Sequence, residues 1–207
     1  MTNERNISDI LTGLQSDLGN DRLQIGQLLE ALRDRGPFFM VMLLTVPFLQ
    51  PVALPGVSLP FGLLIVLLSF GILVERDVPI PKRIAAFSMN PKGVSMLFRG
   101  AIALFRRLEK WSKPRYAQLV EPAGVRRFHA VLLIAAGVLL MLPLPIPFTN
   151  SFPAYVAAFI ALGYLQRDGA MLLVSYALSV ATAAYFGLIA ALGFEGVRLL
   201  LRSVWGS

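Results

Sequence analysis

The sequence of 207 residues has no cysteine, a single histidine and few charged residues, and each shortage excludes a class of protein. Without cysteine there is neither a disulfide framework nor a thiolate metal site. The sequence also contains no metal-ligand cluster, phosphate-binding loop or Ser/His/Asp set. Charged residues make up 15% of the chain and hydrophobic residues 56%, whereas soluble domains average about 25% and 45–50%. We therefore expect an integral membrane protein that is not an enzyme and holds no cofactor or metal.

The positive charge is concentrated in one segment of the chain. The formal net charge is +7, and twelve of the nineteen Lys and Arg residues lie in residues 76–127, between apolar segments. Such a distribution is typical of a cytoplasmic loop under the positive-inside rule, with anionic lipid rather than nucleic acid as the partner. The first 35 residues mix acidic and basic side chains and do not have the composition of a signal peptide. These features predict a multi-pass protein of the bacterial inner membrane.

Two apolar segments are each broken by closely spaced prolines. Residues 38–49 and 61–74 flank the first break, and residues 128–142 and 154–165 flank the second. Each arm is shorter than the roughly 20 residues that a helix needs to cross a bilayer, so two re-entrant helical hairpins are predicted. We expect an all-α fold with amphipathic interfacial helices and a C-terminal membrane helix. Polar cytoplasmic or interfacial helices (1–36) should precede a membrane domain (37–207) composed of repeat 1 (37–111), a basic linker (112–127) and repeat 2 (128–202).

The two hairpins correspond to one another in register, which predicts an internal repeat. Both return arms start with a serine, an apolar residue and a proline, a typical helix start. The offset between matched positions falls only from 93 to 91 residues. The matched positions are Ser58-Leu59-Pro60 with Ser151-Phe152-Pro153, Gly71 with Gly163, and Arg76-Asp77 with Arg167-Asp168.

Polar residues at the hairpin tips are the candidate substrate-binding residues. A helix that starts inside the membrane has unpaired N–H groups and a partial positive charge, which suit an anion. The alternative is that the tip residues only satisfy the broken backbone. Serine capping at the two helix starts is also expected. The candidates are Gln50, Ser58, Thr149, Asn150 and Ser151.

Charged residues at the ends of the arms have two interpretations. They either terminate an apolar arm at the headgroup level or gate a pathway through the membrane. Residues 93–111 are predicted to form an amphipathic helix in the interface, with its cations toward lipid headgroups. The gating or interface candidates are Arg76, Asp77, Arg167, Asp168, Arg99 and Arg106. His129 follows two arginines and is interpreted as an interfacial anchor rather than a ligand.

Residues 170–192 are long enough for a full crossing, and small residues recur there at every fourth position. Ser175, Ser179, Ala183 and Gly187 form this stripe, which lets membrane helices approach closely within one subunit or across a dimer. Short arms with polar tips need protein around them, so a homo-oligomer, most simply a dimer, is expected. Whether the chain turns back near Gly187 or Gly193 is open at this point.

Several motifs resemble the bacterial exopolysaccharide synthesis ExoD family from about residue 24 onward. The sequence departs from the family at Phe148, where a glycine is frequent, and near Ser69, where a polar residue is common. The resemblance implies an inner-membrane protein of exopolysaccharide production and defines no catalytic residue. The motifs are Pro47-Phe48-Leu49-Gln50-Pro51, Leu54-Pro55-Gly56-Val57-Ser58, Lys113-Pro114-Arg115, Leu144-Pro145-Ile146-Pro147 with Asn150 and Pro153-Ala154, and Gly163 with Arg167-Asp168-Gly169.

Three functions fit these features. The first is a transporter or flippase for an anionic envelope precursor or lipid-linked phosphate. The second is a small-ion or proton-coupled exporter that supports alkaline tolerance, although no ionisable residue occurs centrally in the apolar arms. The third is a non-transporting membrane scaffold that binds polysaccharide-synthesis enzymes.

Overall fold

The computed structural model describes residues 35–49, 58–75, 122–144 and 146–205, with side chains up to residue 194, and the isolated positions 9, 12, 13, 102, 106, 116 and 120. These segments form five α-helices and contain no β-strand. Gln50, Arg76, Asp77 and Arg99 lie outside the described residues, as do most of residues 1–34 and 76–121. The helices are α1 (Gly36–Thr45, continued by a 3-10 turn at Val46–Phe48), α2 (Ser58–Val74), α3 (Ala123–Leu140), α4 (Ser151–Gln166) and α5 (Gly169–Trp205).

Helix α4 is the centre of the bundle. Twelve of its sixteen residues are buried, and it packs against α1, α3 and α5. Its middle turns carry small residues such as Ala157 and Ala161, which allow neighbouring helices to approach closely. Larger side chains from the surrounding helices, among them Phe38, Leu133 and Leu172, complete the apolar core.

Helix α2 packs along α3 through two glycines. A Cβ atom at Gly62 would lie 2.6 Å from the carbonyl oxygen of Gly137, and a Cβ atom at Gly137 would lie 2.9 Å from that of Gly62. Real Cβ atoms do not approach a backbone oxygen so closely. The absence of a side chain at both positions is therefore what allows the two backbones to touch.

The polar contacts fix the directions of the first four helices. At one end, Glu75 after α2 pairs with Arg127 in the first turns of α3 at 3.2 Å, and Arg35 before α1 donates to the carbonyl oxygen of Leu165 in α4. At the other end, the Tyr155 hydroxyl of α4 donates to the carbonyl oxygen of Leu49 after α1. Helices α1 and α4 are thus antiparallel, as are α2 and α3. We call the end with Leu49, Ser58 and residues 141–151 the tip end, and the end with Arg35, Glu75 and Arg127 the open end.

Helix α5 is longer than the predicted crossing of residues 170–192. It runs without interruption from Gly169 to Trp205 and passes both Gly187 and Gly193, so the chain does not turn back at either glycine. The segment Gly169–Phe194 and the whole of α3, Ala123–Leu140, are the two described helices that are long and apolar enough to cross a membrane. At 1.5 Å per residue, the first of these segments is about 39 Å long.

Candidate functional site

At the second proline-broken tip, residues 141–151, hydroxyl groups donate hydrogen bonds to backbone carbonyl oxygens. The Thr149 hydroxyl donates to the carbonyl oxygen of Ile146 at 2.8 Å, and Tyr185 of α5 donates its hydroxyl to the carbonyl oxygen of Pro147. Phe148 adopts a positive φ of 66°, a left-handed conformation that favours glycine. The family that the sequence resembles frequently has a glycine at this position. Tyrosine and threonine hydroxyls thereby bond carbonyl groups that the proline-broken helix leaves without a helical partner.

The start of α4 differs in one respect from the prediction. Ser151, which was expected to cap the helix, is instead its first residue, and Asn150 at the N-cap position forms no side-chain capping bond. The first turn is closed by backbone bonds instead, because the N–H groups of Phe152 and Ala154 donate to the carbonyl oxygens of Phe148 and Asn150.

Asn150 has an unpartnered polar atom at the tip end. Its side chain is half-buried, and its buried Oδ1 atom forms no hydrogen bond. Such orphaned buried atoms are uncommon, and an unfilled ligand site is one of their explanations. The amide can be turned by 180°, which would present Nδ2–H donors in place of the acceptor. Asn150 is thus able to offer either type of hydrogen bond to a ligand at the tip.

The other predicted tip residues lie at the same end of the bundle. Ser58 and Ser151, the first residues of α2 and α4, are both buried, and so is Thr149, two residues before Ser151. Ser58 is one helical turn before Gly62, whose contact with α3 lies close to Met141 at the start of the second tip. Both return helices therefore begin at the tip end.

The predicted gating or interface residues include one clear helix cap. Asp168 is buried, and its Oδ1 atom accepts a hydrogen bond of 3.0 Å from the N–H group of Ala170, so it caps α5. Arg167 ends α4 in a left-handed conformation with φ 51°, and its side chain is exposed. Arg106 is exposed as well. Capping accounts for Asp168 without a gate, and the gating role of the charged residues stays a prediction.

A buried polar cluster near the open end was not predicted. His129 of α3 has no exposed surface, with Nδ1 2.9 Å from the Tyr164 hydroxyl of α4 and Nε2 2.7 Å from the Tyr176 hydroxyl of α5. The Tyr164 ring stacks on Phe38 at 4.0 Å, and the Arg126 guanidinium lies 5.8 Å from the centre of the Phe38 ring. His129 is thus a core residue rather than the expected interfacial anchor. The predicted hairpin already placed His129 and Tyr164 at the same level of antiparallel arms, which was the available signal.

The fold and the tip define a small protein whose described elements are all helical, with two helices apolar enough to cross a membrane and two proline-broken helix starts at one end. The chain matches the family described as "Exopolysaccharide synthesis, ExoD" over residues 7–188. It is also 36% identical to Protein ExoD of Rhizobium meliloti over 187 residues, which are 90% of this chain and 78% of that protein. The chain therefore belongs to the ExoD family of exopolysaccharide synthesis.

A more distant relative and the solved structures add little to this assignment. The chain is 22% identical to an uncharacterized protein of Synechocystis sp. over 148 residues, which cover 71% of this chain and 69% of that protein. No solved structure matches the chain.

Proposed function

We propose that this protein is a non-enzymatic, multi-pass protein of the bacterial inner membrane that transports or flips an anionic envelope precursor, such as a lipid-linked phosphate, in exopolysaccharide synthesis. The observation that carries the proposal is the tip end, where two return helices begin at buried serines and Asn150 Oδ1 has no partner. Polar groups at broken helices of this kind are where membrane transporters usually bind their substrates.

The surface of α5 supports integration into the membrane. Residues 169–194 contain no charged side chain. Large apolar side chains project from this segment without protein cover, among them Val180, Leu188 and Phe194. Such a continuous apolar surface is favourable in lipid and unfavourable in water. The arginines of the open end, Arg126 and Arg127, fit the headgroup level on the cytoplasmic side.

Helix lengths support re-entrant hairpins. At 1.5 Å per residue, the 17 residues of α2 and the 16 of α4 span about 24–26 Å, less than the roughly 30 Å of the hydrocarbon core. If the open end lies at the cytoplasmic headgroups, the tips lie within the membrane. An anionic headgroup that reached the tip would then have crossed most of the hydrocarbon layer.

Pairwise contacts and backbone conformation support the internal repeat. If α1 and α2 correspond to α3 and α4, the contact of α2 with α3 corresponds to that of α4 with α1, and the structure contains both. The return helices also end alike, since Glu75 and Arg167 have φ of 53° and 51° and lie 92 residues apart. That offset falls within the range of 93 to 91 that the sequence predicts.

The placement of the two helix starts can be tested by cross-linking. The wild-type chain has no cysteine, so Ser58→Cys with Ser151→Cys places two thiols in an otherwise silent background. We expect a short bifunctional reagent to join them within one chain, because both starts lie at the tip end. The matched control pairs Ser58→Cys with a cysteine at Arg167, which lies at the opposite end of α4. Equal cross-linking of the two pairs would contradict the proposed convergence.

Transport is tested in liposomes that contain the purified protein. We expect the wild type to speed the movement of a fluorescent polyprenyl phosphate between leaflets, and Asn150→Ala to slow it. Ser175→Ala is the matched control, because that buried hydroxyl donates only to the Leu172 carbonyl oxygen within its own helix. A pH-sensitive dye inside the same liposomes reports proton movement. Dye response without lipid movement would favour an ion exporter, and no activity in either assay would favour a scaffold for polysaccharide enzymes.

A homodimer completes the proposal. The small-residue stripe of α5 is divided between two environments, since Ser175 is buried inside the subunit whereas Ala183 and Gly187 are exposed. An added Cβ at Gly187 would meet nothing within 4 Å. The second half of the stripe is thus available for close packing with a second copy.

A further inference from the structure

His129 joins three helices through its two ring nitrogens. The ring belongs to α3, and its nitrogens lie within hydrogen-bond distance of Tyr164 on α4 and Tyr176 on α5. The Tyr176 ring also stacks on the imidazole, with centroids 5.4 Å apart and planes 11° apart. These polar contacts link α3 directly to both α4 and α5.

The protonation state of the ring determines the direction of these hydrogen bonds. A neutral imidazole has one N–H donor and one acceptor nitrogen, so one tyrosine hydroxyl donates to the ring and the other accepts from it. A protonated imidazole donates from both nitrogens. The tyrosine that had donated then accepts from the ring, and its hydroxyl hydrogen must turn away and find another acceptor.

The surroundings offer little compensation for an added positive charge. Helix α1 contributes the Phe38 ring behind Tyr164, and α3 contributes Phe128 and the cationic Arg126. Near the same end, the Glu75 carboxylate is paired with Arg127, and Asp168 caps α5. Among the described residues, no carboxylate contacts the His129 ring.

We propose that His129 is a proton-binding site whose occupancy controls the packing of α3 against α4 and α5. The neutral ring links the three helices, and a proton bound there reverses the hydrogen bond from one tyrosine and adds a positive charge that no described carboxylate offsets. Tyr176 is half-buried, whereas His129 and Tyr164 are buried. Since α4 and α5 also position the tip, a proton bound near the open end changes the helices that form the tip end. This site does not depend on which substrate, if any, the tip binds.

The chain is well suited to a direct test, because it has one histidine and no cysteine. Protein labelled with ¹⁵N-histidine in lipid nanodiscs gives the signals of His129 alone, which report its tautomer and its protonation. Nitroxide labels at Val131→Cys on α3 and Val180→Cys on α5, both exposed positions, report the helix separation by pulsed electron paramagnetic resonance. We expect a single neutral tautomer at neutral pH. On acidification, the ring should become protonated and the label separation should increase with the same midpoint.

His129→Gln is the matched variant, because a glutamine amide also offers a donor and an acceptor but does not titrate. We expect the pH-dependent change in label separation to be lost in this variant. A change that persists there, a wild-type ring that stays neutral over the whole folded pH range, or a ring that becomes protonated with no change in separation would each overturn the proposal. If His129→Gln does not fold, the wild-type measurements decide alone, since they compare two midpoints in one protein.

Discussion

The contact between α2 and α3 predicts a large cost for a single methyl group. In Gly62→Ala the new Cβ atom would lie 2.6 Å from both the Gly137 carbonyl oxygen and the Met141 Cγ atom. The methionine side chain can move, but the carbonyl oxygen belongs to the backbone of α3, so the helices must separate. Such overpacking costs about 1–3 kcal/mol, whereas alanine gains about 1 kcal/mol over glycine inside a helix. The net loss should therefore lie between about 0 and 2 kcal/mol.

Thermal unfolding of the purified protein in mild detergent measures this loss. For a chain of this size, 1 kcal/mol corresponds to roughly 2–4 °C in Tm. Gly193→Ala is the control, because a Cβ atom at that position meets nothing within 4 Å and the residue lies outside the small-residue stripe, so only the helix-propensity gain remains. We expect Tm to fall for Gly62→Ala and to stay constant or rise for Gly193→Ala. Equal Tm values for the two variants would refute the close α2–α3 contact.

Three further predictions concern topology, assembly and the second tip. Single cysteines at Lys82 or Lys110 should not react with an impermeant reagent in intact cells, and labelling from outside would reverse the orientation. Replacing Ala183 and Gly187 with leucine should convert dimers to monomers in native mass spectrometry, and a monomeric wild type would remove the dimer. Phe148→Gly should relieve about 1–2 kcal/mol of left-handed strain against about 0.5–1 kcal/mol of glycine entropy, so Tm should hardly change; a loss of 3–5 kcal/mol, as for a core phenylalanine, would contradict this.

The helix starts were predictable because their signals are local. A serine followed two residues later by proline marks the first turn of a helix, and both α2 and α4 begin at such a serine. The end of α5 was not predictable in this way. Glycine often ends a helix in water, but it is frequent inside membrane helices, and α5 continues through Gly187 and Gly193.

The environment of His129 depends on contacts that are distant in sequence. Its two tyrosine partners lie 35 and 47 residues away, and neither follows from a local pattern. Two adjacent arginines instead favoured a position at the lipid edge. His129 is buried because both of its ring nitrogens lie within hydrogen-bond distance of tyrosine hydroxyls, and these contacts offset the cost of removing the imidazole from water.

The hydrogen-bond partners in the candidate site likewise depend on contacts between residues that are distant in sequence. A proline-broken segment leaves carbonyl groups that need donors in an apolar environment, and the sequence alone does not say which hydroxyls meet that need. In the structure, the Tyr155 hydroxyl donates to the carbonyl oxygen of Leu49, and the Tyr185 hydroxyl donates to that of Pro147. The Thr149 hydroxyl donates to a carbonyl oxygen within its own turn. Two of these donors reach a tip from another helix, so only the folded chain assigns them. Asn150 Oδ1 is not used in this way and remains unpartnered. The proposed site therefore depends on Asn150 more than on Thr149, although both were equal candidates in the sequence.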